Sequence, residues 1–254
     1  MWDPAQYAKF SGERGRPFVD LLARVGATAP RRVVDLGCGP GNLTSLLKAR
    51  WPDAVVEGID SSPEMIASAQ AVDGISFRVE DMSSWHPSPD TDVMISNAAF
   101  QWVPAHRELL RSCAAALPSR AWLAWQVPGN FDQPSHALLR SLAASPRWAP
   151  ALGDVLRGPD PVDPPASYAA LLLDAGWAAD AWETTYVHLL SGPDPVLEWT
   201  RGTALRPVLA ALPSDEDRAE FEASYGELLA TAYPAGPHGT FLPYRRIFCV
   251  GVKS

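Results

Sequence analysis

The run Val33-Val34-Asp35-Leu36-Gly37-Cys38-Gly39-Pro40-Gly41-Asn42 decides the fold of this chain. An apolar stretch closes on an acidic residue, glycines recur at every second position, and a helix-type sequence follows. This order reads as a buried strand, a turn too tight for side chains, and a helix start. Gly37, Gly39 and Gly41 let the backbone approach a ligand closely and adopt φ > 0 where the turn demands it. The helix N-terminus beyond them carries unsatisfied N–H groups that suit an anionic ligand group.

Working outward, Val55-Val56-Glu57-Gly58-Ile59 reads as a second strand that stops at Asp60, 19 residues after Gly41. An acid at the end of the second strand, roughly 20 residues past a glycine turn, is placed to accept both ribose hydroxyls of a nucleoside. Ser61-Ser62-Pro63 reads as a helix start, with Pro63 near the first helical position, and leads into Glu64, Met65 and Ile66. The third strand, Ile75–Val79, ends at Glu80-Asp81-Met82. Asp81 is a candidate acceptor for an adenine amino group, and Met82 a candidate cover for its ring. Taken singly, Asp60 and Asp81 read as solvated loop acids. Three acidic strand ends after one glycine turn favour a nucleoside-bearing cofactor.

Residues 30–126 alternate strand and helix patterns. The expected strands are Arg32–Leu36, Val55–Asp60, Ser76–Glu80, Asp92–Asn97 and Ala121–Gln126, with helices near Asn42–Arg50, Pro63–Val72 and His106–Leu117. Such alternation implies right-handed βαβ units and a parallel sheet. Ligands of such sheets bind outside the carboxyl ends of the strands, where Asp35, Asp60, Asp81 and Asn97 all fall. Before the first strand, Phe18, Val19, Leu21, Leu22 and Val25 have helical spacing and are expected to pack on the sheet. Residues 128–165 are proline-dense, with one helix near Ser135–Ala144, and Arg157–Pro161 does not suit regular structure. A helix at Pro165–Ala175, a strand at Trp177–Leu190, a helix at Asp215–Tyr233 and a last strand at Arg245–Val252 complete the reading. The expected architecture is one α/β domain over residues 1–254, a Rossmann-like, mostly parallel sheet whose last strand is antiparallel. Residues 30–126 form its cofactor-binding half, and 127–165 and 192–240 are helical cap insertions of the kind that exclude water and select a substrate.

The chain has 254 residues, 21 Lys+Arg against 29 Asp+Glu, and a net charge of −8. That balance argues against a nucleic-acid partner, which requires a basic face. It does not exclude a small anionic substrate, since a pocket needs only two or three local cations. The three cysteines, Cys38, Cys113 and Cys249, show no metal-ligand spacing, so no metal site is expected. Their sparse, odd count fits a reducing compartment. Neither a signal-peptide pattern nor an apolar run near the roughly 18 residues of a membrane span is present. The expectation is a cytoplasmic enzyme, monomeric or weakly dimeric, without membrane partners.

The spacing Asp35-x-Gly37-x-Gly39-x-Gly41 differs from the G-x-G-x-x-G of dinucleotide folds. It resembles motif I of the class I S-adenosylmethionine-dependent methyltransferases. That resemblance implies S-adenosylmethionine as cofactor, held by Asp35, Gly37, Gly39, Gly41, Asn42, Asp60, Ser61, Met65, Asp81, Met82, Asn97 and Trp102. Gln101 and Trp102 lie near the cofactor's methionine end in related enzymes, and Trp102 reads equally as core packing. After the fourth strand stands Ser96-Asn97-Ala98-Ala99-Phe100-Gln101-Trp102, without the Asn/Asp/Ser-Pro-Pro-Tyr/Phe motif of methyltransferases that act on planar amines.

In the expected cap and the last strand, the cations are Arg201, Arg206, Arg218, Arg245 and Arg246. Arg206 sits in the apolar context Ala204-Leu205-Arg206-Pro207-Val208-Leu209, where a buried charge needs an anionic partner. Alternation along the last strand puts Tyr244, Arg246 and Phe248 on one face and Arg245 on the other. Arginines match carboxylates with two-pronged hydrogen bonds, so two or three of them suit a polycarboxylate, while each also reads as a partner of a surface acid. His188 and His238 have no visible catalytic partners.

Trp2-Asp3-Pro4, Tyr7, Phe10-Ser11, Glu13-Arg14 and Arg16-Pro17 resemble the opening of the trans-aconitate 2-methyltransferase family. Gly58-Ile59-Asp60-Ser61-Ser62-Pro63, Gln101-Trp102, Trp182, Thr184-Thr185-Tyr186, His188, Trp199, Leu205-Arg206-Pro207, Arg246 and Phe248 resemble the same family, nearly end to end. The resemblance implies methyl transfer to one carboxylate of a tricarboxylate. Tyr7, Arg14, Tyr186, Trp199, Arg206 and Arg246 are then the substrate-binding candidates, and no residue is required as catalytic base. The proline-rich Arg157–Pro165 stretch and the additional Arg245 depart from the pattern. Another small acid or a natural product as substrate, methylation of RNA or protein, and a non-catalytic cofactor-binding regulator are the competing readings.

Overall fold

A computed structural model describes residues 11–69, 73–153, 155, 156, 158 and 161–254, and only the backbone of residues 11–14. The described chain forms α1 (Ser11–Ala23), β1 (Arg32–Leu36), α2 (Thr44–Arg50), β2 (Val55–Asp60), α3 (Pro63–Ala69), β3 (Ser76–Val79), β4 (Thr91–Asn97), α4 (His106–Ala116) and β5 (Trp122–Pro128). Then follow α5 (Pro134–Ala143), α6 (Ala149–Leu152), α7 (Pro165–Asp174), β6 (Trp177–Leu190), α8 (Pro195–Arg201), α9 (Arg206–Ala211), α10 (Asp215–Ala232) and β7 (Thr240–Lys253). Two compact units result. One comprises residues 1–128, 162–184 and 246–254, the other 129–161 and 185–245, so β6 and β7 are each divided between them.

The seven strands run in the order β3-β2-β1-β4-β5-β7-β6. The ladders from β3 through β5 are parallel, and β7 lies antiparallel to β5, with Gln126 opposite Phe248 and Pro128 opposite Arg246. β1 and β4 are buried along nearly their whole length because helices cover both faces of a parallel sheet. The first unit's core gathers Leu36, Met94, Phe100, Leu110, Trp125 and Tyr168 among others, all fully buried. Within it Trp125 and Tyr168 meet edge-on at 5.4 Å. The Tyr168 hydroxyl lies 3.0 Å from His106 Nε2 and accepts from the Asp163 N–H at 3.2 Å.

In the second unit, the Tyr225 hydroxyl on α10 donates to the Ser135 carbonyl at 2.7 Å, and Trp148 meets Phe221 at 5.4 Å. Ser214 caps α10 by accepting the Asp217 N–H at 3.0 Å, the arrangement that satisfies an otherwise orphaned helix donor.

Several boundaries differ from the sequence reading. Phe18, Leu21, Leu22 and Val25 are buried, but Val19 is 51% exposed. One residue on from Phe18 it has turned about 100° around the helix axis, away from the sheet. The first turn of α2 begins at Thr44 rather than Asn42. α3 is described through Ala69; residues 70–72, and Arg157, Pro159 and Asp160 of the proline-rich stretch, lie outside the described residues. β3 stops at Val79, β5 extends to Pro128, and β7 starts at Thr240. A second short helix, α6, follows α5.

Candidate active site

The glycine turn is anchored to the end of β2. The N–H groups of Gly37 and Cys38 donate to the Ile59 carbonyl at 2.7 and 3.0 Å, and that of Gly39 to Asp60 Oδ2 at 2.9 Å. Gly37, Gly39 and Gly41 have φ of 83°, 56° and 75°, in the left-handed region that favours glycine. Their surroundings differ. A Cβ on Gly37 would lie 2.3 Å from Ala99 Cβ and 3.0 Å from Met82 Cε, and one on Gly41 2.7 Å from the Phe77 ring, whereas one on Gly39 meets nothing within 4 Å. The first and third glycines thus allow the turn to pack. The middle one borders open space.

Asp35 is 2% exposed. Its Oδ2 accepts from the Thr44 hydroxyl at 2.6 Å, while Oδ1 is buried without a partner among the described residues. Burial, with a further push from nearby Asp60 against the help of Thr44, raises this carboxyl to about 7. A buried acceptor in that condition calls for a cationic or donor group. Together with the open face of Gly39, it fits a cofactor that carries positive charge. Cys38 is buried beside it, and its thiol is pushed far up, chiefly by burial, so it stays neutral and is no nucleophile.

Asp60 accepts one backbone N–H on each oxygen, from Gly39 and from Ser62 at 2.9 Å. A carboxylate has about four acceptor sites, so capacity for hydroxyl donors is left. Asp81 is exposed and caps a single 3₁₀ turn by accepting the Ser83 N–H at 2.8 Å, which holds its carboxyl below the usual range. Met82 is half-buried against the glycine turn, Met65 is buried in α3, and Ser61 and Asn42 are exposed. Trp102 is 45% exposed, so its ring is not core packing. Beside it, buried Gln101 donates to the Ala98 carbonyl, where the chain takes a φ of 54°, and its Oε1 has no partner among the described residues.

Arg246 lies in the first unit, on the last strand of the sheet as expected. It is 7% exposed and donates through Nη1 to Gln126 Oε1 at 3.5 Å; Gln126 Nε2 donates in turn to Asn97 Oδ1 at 2.6 Å. Gln126 was not among the sequence candidates. Its signal was a single amide in the apolar run Trp122–Pro128, at the carboxyl end of the strand beside Asn97.

The remaining candidates fall in the second unit. Tyr186 and Trp199 are buried and Arg206 half-buried at the start of α9. His188 stacks on Trp199 at 4.8 Å and sits 6.1 Å from Tyr244, which gives it an aromatic packing role. Arg201 is paired with Glu198 and Glu222, and Arg218 with Asp215 and the Leu209 and Leu212 carbonyls, which makes both structural. Arg245 donates to the Gly129 carbonyl at 3.1 Å. Tyr7 and the Arg14 side chain lie outside the described residues. Among the described residues no cluster of three or more His, Cys, Asp and Glu could hold a metal ion, and no helix is long and apolar enough to cross a membrane.

Comparison with known proteins places this geometry in context. Residues 10–180 match the family described as methyltransferase domain. The chain is 58% identical over 252 residues to the trans-aconitate 2-methyltransferase of Rhodococcus jostii, covering 98% of both chains. It is 49% identical over 262 residues to the enzyme of the same name from Streptomyces avermitilis, covering 100% of this chain and 97% of the other. Among solved structures, phosphoethanolamine N-methyltransferase 2 of Haemonchus contortus, in complex with S-adenosyl-L-methionine, superposes with a TM-score of 0.56 at 15% identity, over 98% of this chain and 56% of that one. That last likeness speaks for the fold. With a glycine turn, an acid at the end of β2 and an antiparallel seventh strand already in place, the full-length identities show that the chain belongs to the trans-aconitate 2-methyltransferase family.

Proposed function

We propose that this enzyme transfers the methyl group of S-adenosylmethionine to one carboxylate of trans-aconitate, giving a monomethyl ester and S-adenosylhomocysteine. The observation that carries the reading is identity of 49–58% to enzymes of that name over nearly the whole chain. S-adenosylmethionine supplies an activated methyl group whose departure leaves a neutral thioether. A carboxylate is already ionised near neutral pH and needs no general base. The task left to the protein is alignment and exclusion of water, which supplies about 7–11 kcal/mol of barrier lowering.

In this reading Asp35, through its unpaired Oδ1, receives positive charge on the cofactor. Asp60 takes the ribose hydroxyls with the capacity left beyond its two backbone bonds. Asp81 and Met82 serve the adenine, and Gly37, Gly39, Gly41, Asn42, Ser61, Met65, Asn97 and Trp102 complete the cofactor set. Arg246, Arg206, Tyr186, Trp199, Tyr7 and Arg14 are assigned to the acid. Residues 127–165 and 192–240 serve as the cap of a single domain. The net charge of −8 favours a small molecule over nucleic acid. Three buried, unbridged cysteines favour the cytoplasm, as a monomer or weak dimer.

The test is turnover with S-adenosylmethionine and a panel of trans-aconitate, cis-aconitate, citrate, isocitrate and a fatty acid, with methyl ester detected by mass. Ester from trans-aconitate well above the rest is expected. Cofactor binding with no ester from any tricarboxylate would overturn the substrate assignment.

A further inference from the structure

Asn97, Gln126 and Arg246 stand side by side across the carboxyl ends of β4 and β5 and the paired part of β7. Asn97 and Gln126 are register partners, and Arg246 is opposite Pro128, two residues beyond Gln126. Gln126 is 1% exposed and Arg246 7%. A guanidinium offers donors only. The side of the Gln126 amide that faces Arg246 must therefore be its oxygen, and its nitrogen must face Asn97. Asn97 then accepts through Oδ1, and its Nδ2 is the part left for another partner. No described residue accepts from Asn97 Nδ2. The fixed charge of Arg246 thus favours one direction for two amides in series.

We infer that Gln126 is a positioning residue, which holds the Asn97 amide with its nitrogen toward the ligand crevice and the Arg246 guanidinium at a set separation from it. The chemistry presented at the Asn97 end is a neutral donor for a carboxylate, and at the Arg246 end a cationic one. The substrate role given to Arg246 rests on the carboxylate-methylating function proposed above. A carboxylate at Asn97 can come from the acid or from the methionine part of the cofactor.

The decisive variant is Gln126→Glu. It keeps the size of the side chain and still accepts from Arg246, but offers no donor to Asn97. The Asn97 amide must then turn and show its oxygen to the crevice. Binding of S-adenosylhomocysteine, and of trans-aconitate to the S-adenosylhomocysteine complex, is measured by calorimetry, with thermal melting as a control of folding. The expected result is a loss of at least tenfold in affinity for one of the two ligands with melting little changed. Weakening of trans-aconitate assigns the donor to the acid, and weakening of S-adenosylhomocysteine assigns it to the cofactor. Affinities within twofold of wild type for both overturn the proposal. Asn97→Asp removes the same donor directly. Should Gln126→Glu melt early, Asn97→Asp and Gln126→Met are compared singly and together. A relay requires that the double variant lose no more than Asn97→Asp alone, and additive losses overturn it. If the wild type binds S-adenosylhomocysteine but no tricarboxylate, the proposed substrate fails, and the cofactor arm still decides the role of Gln126.

Discussion

Asp35, whose carboxyl burial raises to about 7, would behave as a proton store in the proposed cofactor site. Positive charge brought to its Oδ1 lowers its pKa, so binding of a cationic cofactor below pH 7 expels a proton. Affinity for S-adenosylmethionine is expected to rise with pH up to about 7 and to level off above that, by up to about tenfold per pH unit. Asp35→Asn should bind more weakly at pH 8 and lose that slope. Calorimetry in buffers of different ionisation enthalpy reads the proton directly, and equal heats in all buffers would sink the idea. The linkage has the opposite sign for the ligand-free fold. With the folded pKa above the usual 3.8, the folded state binds more protons than the unfolded one between about pH 4 and 7, so stability falls as pH rises through that window. Arg246 carries a second prediction at this scale. Charge-assisted hydrogen bonds contribute about 1.5–3 kcal/mol each, so Arg246→Ala should raise the KM for a polycarboxylate roughly ten- to a hundredfold, with much less effect on S-adenosylhomocysteine binding. An unchanged KM would remove Arg246 from the substrate site.

At the scale of the element, the glycine turn separates packing from access. Gly37→Ala drives a methyl into Ala99 and adds a left-handed penalty of about 1–2 kcal/mol, so marked destabilisation is expected in a denaturant melt. Gly39→Ala pays only the conformational cost, keeps most of its stability, and should lose cofactor affinity because its methyl enters open space. If Gly39→Ala binds S-adenosylhomocysteine as wild type does, that space is not the ligand's. The turn and its flanking strands were legible because they are local. β1 and β2 match their expected spans residue for residue, each an apolar run closed by an acid and a glycine turn or helix start. The early start of β7 was hidden by Pro243, which argues against a strand interior. The ladder with β5 begins only at Arg246, so Pro243 makes no demand on it. Gln126 was hidden for a different reason. Its importance comes from a register partner 29 residues away and an antiparallel neighbour 120 residues away, and linear spacing carries neither. Which cations are held in ion pairs was likewise not legible, since Arg201 on α8 pairs with Glu222 on α10, while Arg246 stands on the last strand as expected.

For the whole molecule, a ligand that binds only the folded state stabilises it by mass action. S-adenosylhomocysteine at 100 times its Kd contributes about 2.7 kcal/mol. For a chain of this length that should raise Tm by about 5–10 °C. The shift should shrink in Asp35→Asn and Gly39→Ala in proportion to their lost affinity. A shift unchanged in both variants would place the cofactor elsewhere.

The strand order carries one more consequence. β7 follows β6 in the chain, yet it lies between β5 and β6 in the sheet. A nascent chain on the ribosome can align β1 to β5 as they emerge, but β6 has no neighbour to join until β7 has followed it out. The same nine residues, 246–254, that close the sheet also deliver Arg246 to Gln126. Closing of the sheet and arrival of the buried guanidinium are thus one event, and a chain cut short before residue 246 loses both together.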